Sequence, residues 1–227
     1  MEQLYVKTAF LHGDLEEKIR MTQIEELDKE HLVCLLKISL YGLKQSPRQW
    51  YKRFDTFILK IGFKRSSYDG CFYYKKLQGS LMMFLLIYVD DMLLACKDKS
   101  QIQEVKRILK SEFDMMGLGN ARRILGMEIV RNSEDRTLFL SQKGYLEKVL
   151  KRFSMENSKL VSIPLAGHFR LSMTQCPQSE ADKKEMNFVP YASVIGSLMC
   201  AMVCSRPDIA HSVSVLSRFM VNLCREH

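Results

Sequence analysis

With 227 residues, 47% of them hydrophobic, the chain can bury one large core or two small ones, which excludes global disorder. Its formal net charge of +8 favours an anionic partner such as a nucleic acid over a small neutral ligand. The sequence shows neither an N-terminal leader nor an apolar run of the roughly 18 residues that cross a bilayer, so we expect an intracellular protein of the cytoplasm or nucleus, neither secreted nor membrane-bound.

The first part of the chain contains a clear helix pattern between extended segments. Residues 4–11 and 33–41 have strand character. Ser46 as N-cap, a proline after it and Gln49 completing a capping box predict a helix start, and Gly62 predicts its end. The apolar residues that recur at helical spacing between these signals are Trp50, Phe54, Phe57, Ile58 and Ile61.

Two further strands are predicted at 71–77 and 81–96, the second of them divided by a polar turn. A second helix should begin at Ser100, where Ser100 and Gln103 form another capping box. Its expected buried face consists of Ile102, Val105, Leu109 and Phe113.

Beyond Gly117 and Gly119, where the pattern breaks, strands at 124–130 and 137–140 predict a hairpin. A third helix should begin near Ser141, because apolar residues recur there at helical spacing. Its other faces carry the basic residues Lys143, Lys148, Lys151 and Arg152, which could be solvated or could contact phosphates.

The last part of the chain predicts a linker and a helical pair. Residues 157–190 lack periodicity and read as an exposed linker, whereas 191–204 and 208–221 have helical character. Ser205 and Asp208 form a capping box between the two helices. The Met and Cys residues between 199 and 204 should fill a core or a helix interface rather than bind a metal.

The seven cysteines are odd in number, scattered and mostly within apolar runs, which predicts reduced core thiols. Cys200 and Cys204 share a helix face, but no further His or Cys pair stands nearby at zinc-ligand spacing. We therefore expect no structural metal there.

Two adjacent carboxylates, Asp90 and Asp91, stand at the tip of the hairpin predicted within 81–96. Hairpin turns normally use Gly or Asn, and neighbouring like charges repel unless a cation lies between them. Hard cations such as Mg²⁺ prefer carboxylate oxygens and substrate phosphates, and paired metals can clamp the attacking and leaving oxygens of phosphoryl transfer. The local pattern is consistent with such a metal site and equally with a solvated Asp-Asp turn.

Six motifs occur in order along nearly the whole chain: VKTAFLHG (6–13), SLYGLKQSPRQWY (39–51), YVDD (88–91), LGM (125–127), YAS (191–193) and SRPDIA (205–210). Together they closely resemble the reverse transcriptase of Ty1/copia-type LTR retrotransposons, a fragment of the Pol polyprotein of elements abundant in plant genomes. Such an ordered set is far more specific than a lone Asp-Asp pair.

The resemblance implies an α+β fold: a right-hand polymerase palm, in which helices back an antiparallel sheet, with a C-terminal helical thumb or connection portion. The expected division is a palm with a partial fingers remnant (1–120), a primer-grip-like hairpin with the first thumb helix (121–156), a linker (157–190) and a truncated helical thumb or connection (191–227).

The resemblance also implies roles for particular residues. In the family three carboxylates hold two Mg²⁺ ions, and Asp90 and Asp91 match the second and third, as catalytic and metal-binding residues. Phe10 matches the aromatic residue that contacts the nucleotide sugar. Other matched positions lie near template or nucleotide (Gly42, Lys44, Ser46, Pro47, Tyr88) or position the primer (Leu125, Gly126, Met127). Their charge alone makes Lys143, Lys148, Lys151 and Arg152 candidates for contact with the nucleic-acid backbone. The implied partners are an RNA/DNA primer-template or a single-stranded nucleic acid, together with deoxynucleoside triphosphates.

One departure from the family concerns the first catalytic Asp, whose position is occupied by Tyr5. A phenol, with a pKa of about 10, is a neutral and poor Mg²⁺ ligand at pH 7, so we expect weakened metal binding. Because metals supply much of the stabilisation in phosphoryl transfer, we expect a loss of rate by many orders of magnitude.

Further departures concern the extent of the chain. It begins four residues before Tyr5, so we expect the fingers to be missing. The stretch Gln23-Ile24-Glu25-Glu26 lacks the Pro and Gly of the family's segment, and no ribonuclease H, protease or integrase is expected.

These observations predict a truncated reverse transcriptase domain whose family reaction is RNA-directed DNA polymerisation, catalytically defective because of Tyr5 and the missing fingers. The alternative is a non-catalytic remnant of a retroelement that still binds nucleic acid. A remnant with no selected function and an active polymerase are the other hypotheses.

Overall fold

The computed structural model describes residues 1–22, 33–176, 184, 186–221 and 223. The chain divides into two compact units, Met1–Ala121 and Arg122–His227. In the described ranges, no helix is long and apolar enough to cross a membrane. The departure expected at 23–26, the linker residues 177–183 and 185, and Cys224 lie outside the described residues.

The first unit is built on a six-stranded antiparallel sheet with the order β4-β5-β6-β7-β1-β8. Among the described residues of this unit, two helices and a separate two-stranded sheet complete it. The sheet strands are β1 (Glu2–Val6), β4 (Lys64–Arg65), β5 (Phe72–Lys76), β6 (Met82–Tyr88), β7 (Asp91–Cys96) and β8 (Met115–Asn120); the small sheet is β2 (Arg20–Thr22) and β3 (Val33–Leu35); the helices are α1 (Ser46–Lys60) and α2 (Lys99–Glu112).

Strand β1 lies between β7 and β8 and alternates between two faces. Leu4 and Val6 are fully buried in the core, as is Met92 of β7. The strand expected over 4–11 is confirmed only as far as Val6. Thr8 then takes left-handed backbone angles (φ 49°) and a 3₁₀ turn follows at Ala9–His12, so the expectation was wrong for the rest of the segment.

Helix α1 packs on the sheet through the predicted residues. Trp50, Phe54 and Ile58 belong to the hydrophobic core and are at most 2% exposed. Gly62, at φ +92°, follows the helix end as expected. The predicted N-cap is wrong, however, because Ser46 lies inside the helix and its hydroxyl donates to the Leu40 carbonyl at 2.6 Å.

Helix α2 begins at Lys99, and its N-cap is Asp98 rather than the expected Ser100. The Asp98 carboxylate accepts from the backbone N–H and the hydroxyl of Ser100, both at 2.8 Å. Gly117 and Gly119 do not end the pattern either. They lie within β8, where the pairing with β1 shifts register and Gly119 takes φ 75°, so the glycines mark a β-bulge.

The second unit contains a three-stranded antiparallel sheet with the order β11-β10-β9 and three helices among its described residues. The predicted hairpin is confirmed as β10 paired with β11, but its first strand is split. Leu125 and Gly126, both at positive φ, form a tight turn between β9 and β10. The elements are β9 (Arg123–Ile124), β10 (Met127–Asn132), β11 (Thr137–Ser141), α3 (Lys143–Arg152), α4 (Tyr191–Cys204) and α5 (Ala210–Ser217).

Helices α3, α4 and α5 confirm the predicted helical segments, although α5 ends at Ser217, before the expected 221. The capping box at Ser205 is wrong, because the Ser205 hydroxyl donates to Gln142 Oε1 at 2.7 Å and a 3₁₀ turn precedes α5. The core-thiol expectation is wrong for Cys200 and Cys204, which are exposed. Helix α4 is apolar on every side, so its sequence pattern does not identify the buried face.

Candidate active site

The candidate active site lies where β1 meets the β6–β7 hairpin. Tyr5 stands directly opposite Asp91 in the antiparallel pairing of β1 with β7. Opposite residues in such a pair project to the same face, so both side chains lie on the face opposite to Leu4 and Met92. Tyr5 therefore lies beside the Asp pair.

Both carboxylates interact with side chains of β1. The Asp90 carboxylate raises the pKa of Tyr5 above its ordinary value, first through hydrogen bonding to the phenol and then through charge. The Asp91 Oδ1 atom accepts from Gln3 Nε2 at 3.2 Å. The phenol is therefore neutral at pH 7 and donates a hydrogen bond to the Asp90 carboxylate.

The hairpin tip is held by its backbone. Val89 takes φ 55°, a conformation that is unusual for a β-branched residue and that primed turns require at their first central position. The indole N–H of Trp50 donates to the Val89 carbonyl at 2.6 Å, and the Val6 N–H donates to the Asp90 carbonyl at 2.8 Å. The core helix α1 and strand β1 thus fix the turn that carries both carboxylates.

The predicted sugar-contacting residue lies in the same unit. The Phe10 ring centroid is 4.7 Å from that of Tyr41, and Tyr41 in turn contributes to the raised pKa of Tyr5. Phe10 thus packs against Tyr41, which lies close enough to Tyr5 to affect its pKa.

The predicted template and nucleotide segment forms a turn before α1. Gly42 (φ 93°), Lys44 and Pro47 are exposed, as is Tyr88 at the end of β6. Ser46 is fully buried and its hydroxyl is bonded to a backbone carbonyl, so it is not available to a ligand in this conformation.

The predicted primer-positioning and backbone-binding residues belong to the second unit. Leu125 and Gly126 form the β9–β10 turn and Met127 begins β10. On α3 the four basic residues are all exposed. Lys143 lies 3.9 Å from Glu147, and Arg152 contacts Ser193 at 3.4 Å. Within the described part of the chain, no ion pair involves Lys148 or Lys151.

The donor set does not fit a pair of Mg²⁺ ions. Among residues 1–22, 33–176 and the described positions beyond, no cluster of three or more His, Cys, Asp or Glu side chains could hold a metal. Asp90 and Asp91 are the two carboxylates of the site, and the third position is a neutral phenol, which is a poor Mg²⁺ ligand.

Sequence reasoning missed three residues that shape the site. Gln3 donates to Asp91, Tyr41 packs against Phe10 in a tilted arrangement, and Trp50 holds the turn at Val89. Only Gln3 could have been found from the pattern, because it lies two positions before Tyr5 and therefore on the same face of β1.

Comparisons with known proteins agree with the motifs. A sequence model of the family described as "Reverse transcriptase (RNA-dependent DNA polymerase)" matches residues 1–167. No solved structure matches.

Three similar proteins come from transposons. The chain is 54% identical over 230 residues to the retrovirus-related Pol polyprotein from transposon TNT 1-94 of Nicotiana tabacum, covering 100% of this chain and 17% of the relative. It is 32% identical to the corresponding polyprotein from transposon RE1 of Arabidopsis thaliana over 230 residues, 100% of this chain and 15% of the relative. It is 30% identical to a transposon Ty5-1 protein of Saccharomyces cerevisiae over 219 residues, 95% of this chain and 68% of the relative. The chain therefore spans about a sixth of the two plant polyproteins and belongs to the reverse transcriptase family, as a domain of a Ty1/copia-type retrotransposon Pol polyprotein.

Proposed function

We propose that this chain is the palm-containing part of a reverse transcriptase whose polymerisation step is blocked at Tyr5. The observation that carries the proposal is the register of β1 against β7, which puts a phenol opposite Asp91, where the family's pattern has a carboxylate. RNA-directed DNA polymerisation on a primer-template is the ancestral reaction, with Mg²⁺ and deoxynucleoside triphosphates as cofactor and substrates.

The block follows from the chemistry of the donor set. Two Mg²⁺ ions at a nucleotidyl-transfer site need carboxylates that approach them from more than one strand. Here the side chain from β1 is a hydrogen-bond donor to Asp90, so it satisfies that carboxylate without bringing a negative charge. We therefore expect Asp90 and Asp91 to bind one divalent cation weakly and no second one.

Primer extension by the full chain tests the proposal. We expect no extension of a DNA primer on an RNA template with either Mg²⁺ or Mn²⁺. If the unmodified chain extends the primer, and Asp90→Asn abolishes the activity, the proposed block is wrong.

Metal binding provides a second readout that does not depend on activity. Tyr5→Asp restores a carboxylate, so Mn²⁺ should bind more tightly to this variant, as measured by electron paramagnetic resonance of free Mn²⁺. Tyr5→Phe is the matched control, because it removes the phenol hydroxyl without adding charge. Equal Mn²⁺ affinity in Tyr5→Asp and Tyr5→Phe would contradict the role given to position 5.

A second candidate function is non-catalytic binding of nucleic acid. The observation that favours it is the exposed basic surface of α3, where Lys148 and Lys151 take part in no ion pair of the described chain. Phosphate contacts of this kind do not require the metal site. The two candidates are compatible, since a domain that cannot polymerise can retain affinity for a primer-template.

A further inference from the structure

A pair of thiols on α4 has no part in the proposed polymerase chemistry. Cys200 and Cys204 are four residues apart on this helix, and both are exposed. Residues at this spacing are neighbours on a helix surface, with Cβ atoms roughly 5–6 Å apart. The two sulfur atoms can therefore reach a common atom placed between them.

Helix α3 borders this thiol pair. The Tyr145 hydroxyl donates to the Ser197 carbonyl at 3.0 Å, and the Gln142 side chain accepts from the Ser205 hydroxyl at 2.7 Å. Ser197 and Ser205 flank the two cysteines along α4. The pair thus has one side covered by a fixed neighbouring helix and the other side open.

The Cys200 thiol lies within interaction distance of both the Cys204 thiol and the Tyr145 hydroxyl. Partial burial, and then the nearby Cys200, raise the pKa of the Cys204 thiol. Cys200 also contributes, after burial, to the raised pKa of Tyr145. Two thiolates side by side repel each other, and a cation bound to both removes that repulsion.

A bridging atom suits this spacing better than a direct disulfide. A disulfide needs Cβ atoms about 3.5–4.5 Å apart, which is closer than neighbouring turns of a helix allow. Direct oxidation would therefore require local unwinding of α4. An ion between the sulfurs needs no such change.

We propose that Cys200 and Cys204 form a two-thiolate site for a soft monovalent metal ion, Cu(I). Soft thiolate ligands favour Cu(I), whereas structural Zn²⁺ almost always takes four ligands. Within the described residues, no third His, Cys, Asp or Glu completes a larger cluster here. On binding, each S–H bond releases its proton to solvent and two Cu–S bonds form. No electron is transferred.

The test is an anaerobic titration of the reduced full chain with Cu(I) in competition with a chromophoric Cu(I) chelator. One equivalent of Cu(I) should be withheld from the chelator by the unmodified chain. Cys200→Ser and Cys204→Ser should each lose this equivalent. Cys71→Ser and Cys96→Ser, which replace partly buried thiols of the first unit, should retain it.

A spacing variant separates the thiol pair from the mere number of cysteines. Cys204→Ser combined with Met202→Cys keeps the thiol count but moves the second thiol two positions from Cys200, away from its face. It should not recover the bound Cu(I). Retention of Cu(I) by both single Ser variants, or its recovery in the spacing variant, would overturn the proposal. Circular dichroism of each variant shows that a lost ion does not reflect a lost helix.

Discussion

The side chain at position 5 affects the charge balance around Asp90 and Asp91. Three carboxylates close together require a cation between them. With a phenol in one of the three positions, Asp90 gains a donor, and Gln3 provides another to Asp91. Both carboxylates therefore have a hydrogen-bond donor without a metal, and the block that we propose at Tyr5 rests on this arrangement.

If the Tyr5 phenol compensates the Asp90 charge without a metal, Tyr5→Asp should make stability depend on divalent cations. In EDTA the variant should unfold at a lower temperature than the unmodified chain, because the added carboxylate repels Asp90 and Asp91. Adding Mg²⁺ or Mn²⁺ should raise its melting temperature more than that of the unmodified chain. Differential scanning calorimetry with and without the ions measures both effects. A melting temperature of Tyr5→Asp that does not respond to either ion would contradict this explanation.

The buried Tyr73 hydroxyl also donates a hydrogen bond to a carboxylate, that of Asp55. Tyr73 is fully buried, and its hydroxyl lies 2.8 Å from Asp55 Oδ1 and 3.2 Å from the Tyr51 hydroxyl. Burial first, and then these hydrogen bonds, raise the pKa of Tyr73 well above its ordinary value of 10.0. The protonated phenol therefore stabilises the fold at every pH below about 10, and its contribution falls as pH rises toward the folded-state pKa.

Tyr73→Phe should lower the free energy of unfolding by about 1–3 kcal/mol, because it leaves the Asp55 carboxylate without this donor. The difference from the unmodified chain should be constant from neutral pH to about pH 9 and should shrink above pH 10. Urea unfolding across this pH range measures it. Tyr68→Phe is the control, because Tyr68 is 99% exposed. An equal loss in the two variants would show that the Tyr73 hydroxyl has no special role.

At the scale of elements, the start of α2 depends on Asp98 rather than on the predicted Ser100. The Asp98 carboxylate accepts both the hydroxyl and the N–H of Ser100, which lowers the pKa of Asp98 below its ordinary 3.8. This stabilisation is therefore present above pH 3.8 and is lost as pH falls through the folded-state pKa.

Asp98→Ala should consequently lower the melting temperature at pH 7 more than Ser100→Ala does. Alanine at 98 removes both hydrogen bonds, whereas alanine at 100 removes only the one from the hydroxyl. Asp98→Asn, which keeps a capping oxygen, should retain much of the stability. Thermal unfolding monitored by circular dichroism ranks the three variants. If Ser100→Ala is the most damaging of them, the assignment of the N-cap is wrong.

Elements that depend on local sequence patterns were predicted correctly, whereas features that depend on contacts between distant segments were not. Helix α1 and the β6–β7 hairpin were predictable because a local apolar period fixes both their type and their buried face. Helix caps were misplaced because several polar residues near a helix start compete for the same N–H groups. Strand β8 was missed because its glycines resemble a break, and only pairing with β1 gives them a place in the sheet.

The same reasoning applies to the candidate site. Asp90, Asp91 and Tyr5 were identified from neighbouring residues in the sequence and from the ordered motifs, neither of which requires knowledge of the fold. Tyr41 and Trp50 were missed as site residues because their contacts join segments far apart in the chain. Local sequence patterns identify the acidic residues of the candidate site, whereas the packing that positions them depends on the fold.

At the scale of the whole molecule, the excess of basic residues is distributed unevenly between paired and unpaired side chains. Lys52, Arg107 and Arg206 each form an ion pair with a nearby carboxylate. Lys148 and Lys151 of α3 form none among the described residues. The positive potential near the paired residues is therefore lower than the net charge of +8 suggests. Along α3, Lys148 and Lys151, unpaired within the described part of the chain, keep their full positive charge.

We expect this distribution to control the binding of nucleic acid. The full chain should bind an RNA/DNA hybrid or single strands weakly and without sequence preference, and the affinity should fall steeply with salt because each phosphate contact releases a counterion. Replacing Lys148, Lys151 and Arg152 together by Ala should weaken binding and flatten the plot of log affinity against log salt by up to roughly three units. Fluorescence anisotropy at several salt concentrations measures the slope.

The matched control removes the same number of positive charges from paired positions: Lys52, Arg107 and Arg206, each replaced by Ala. These side chains already neutralise carboxylates, so they should contribute few phosphate contacts and their loss should change the slope less than the α3 substitutions do. Equal slopes in the two triple variants would mean that net charge alone governs binding. Salt-insensitive binding, or no binding at low ionic strength, would remove the nucleic-acid-binding candidate altogether.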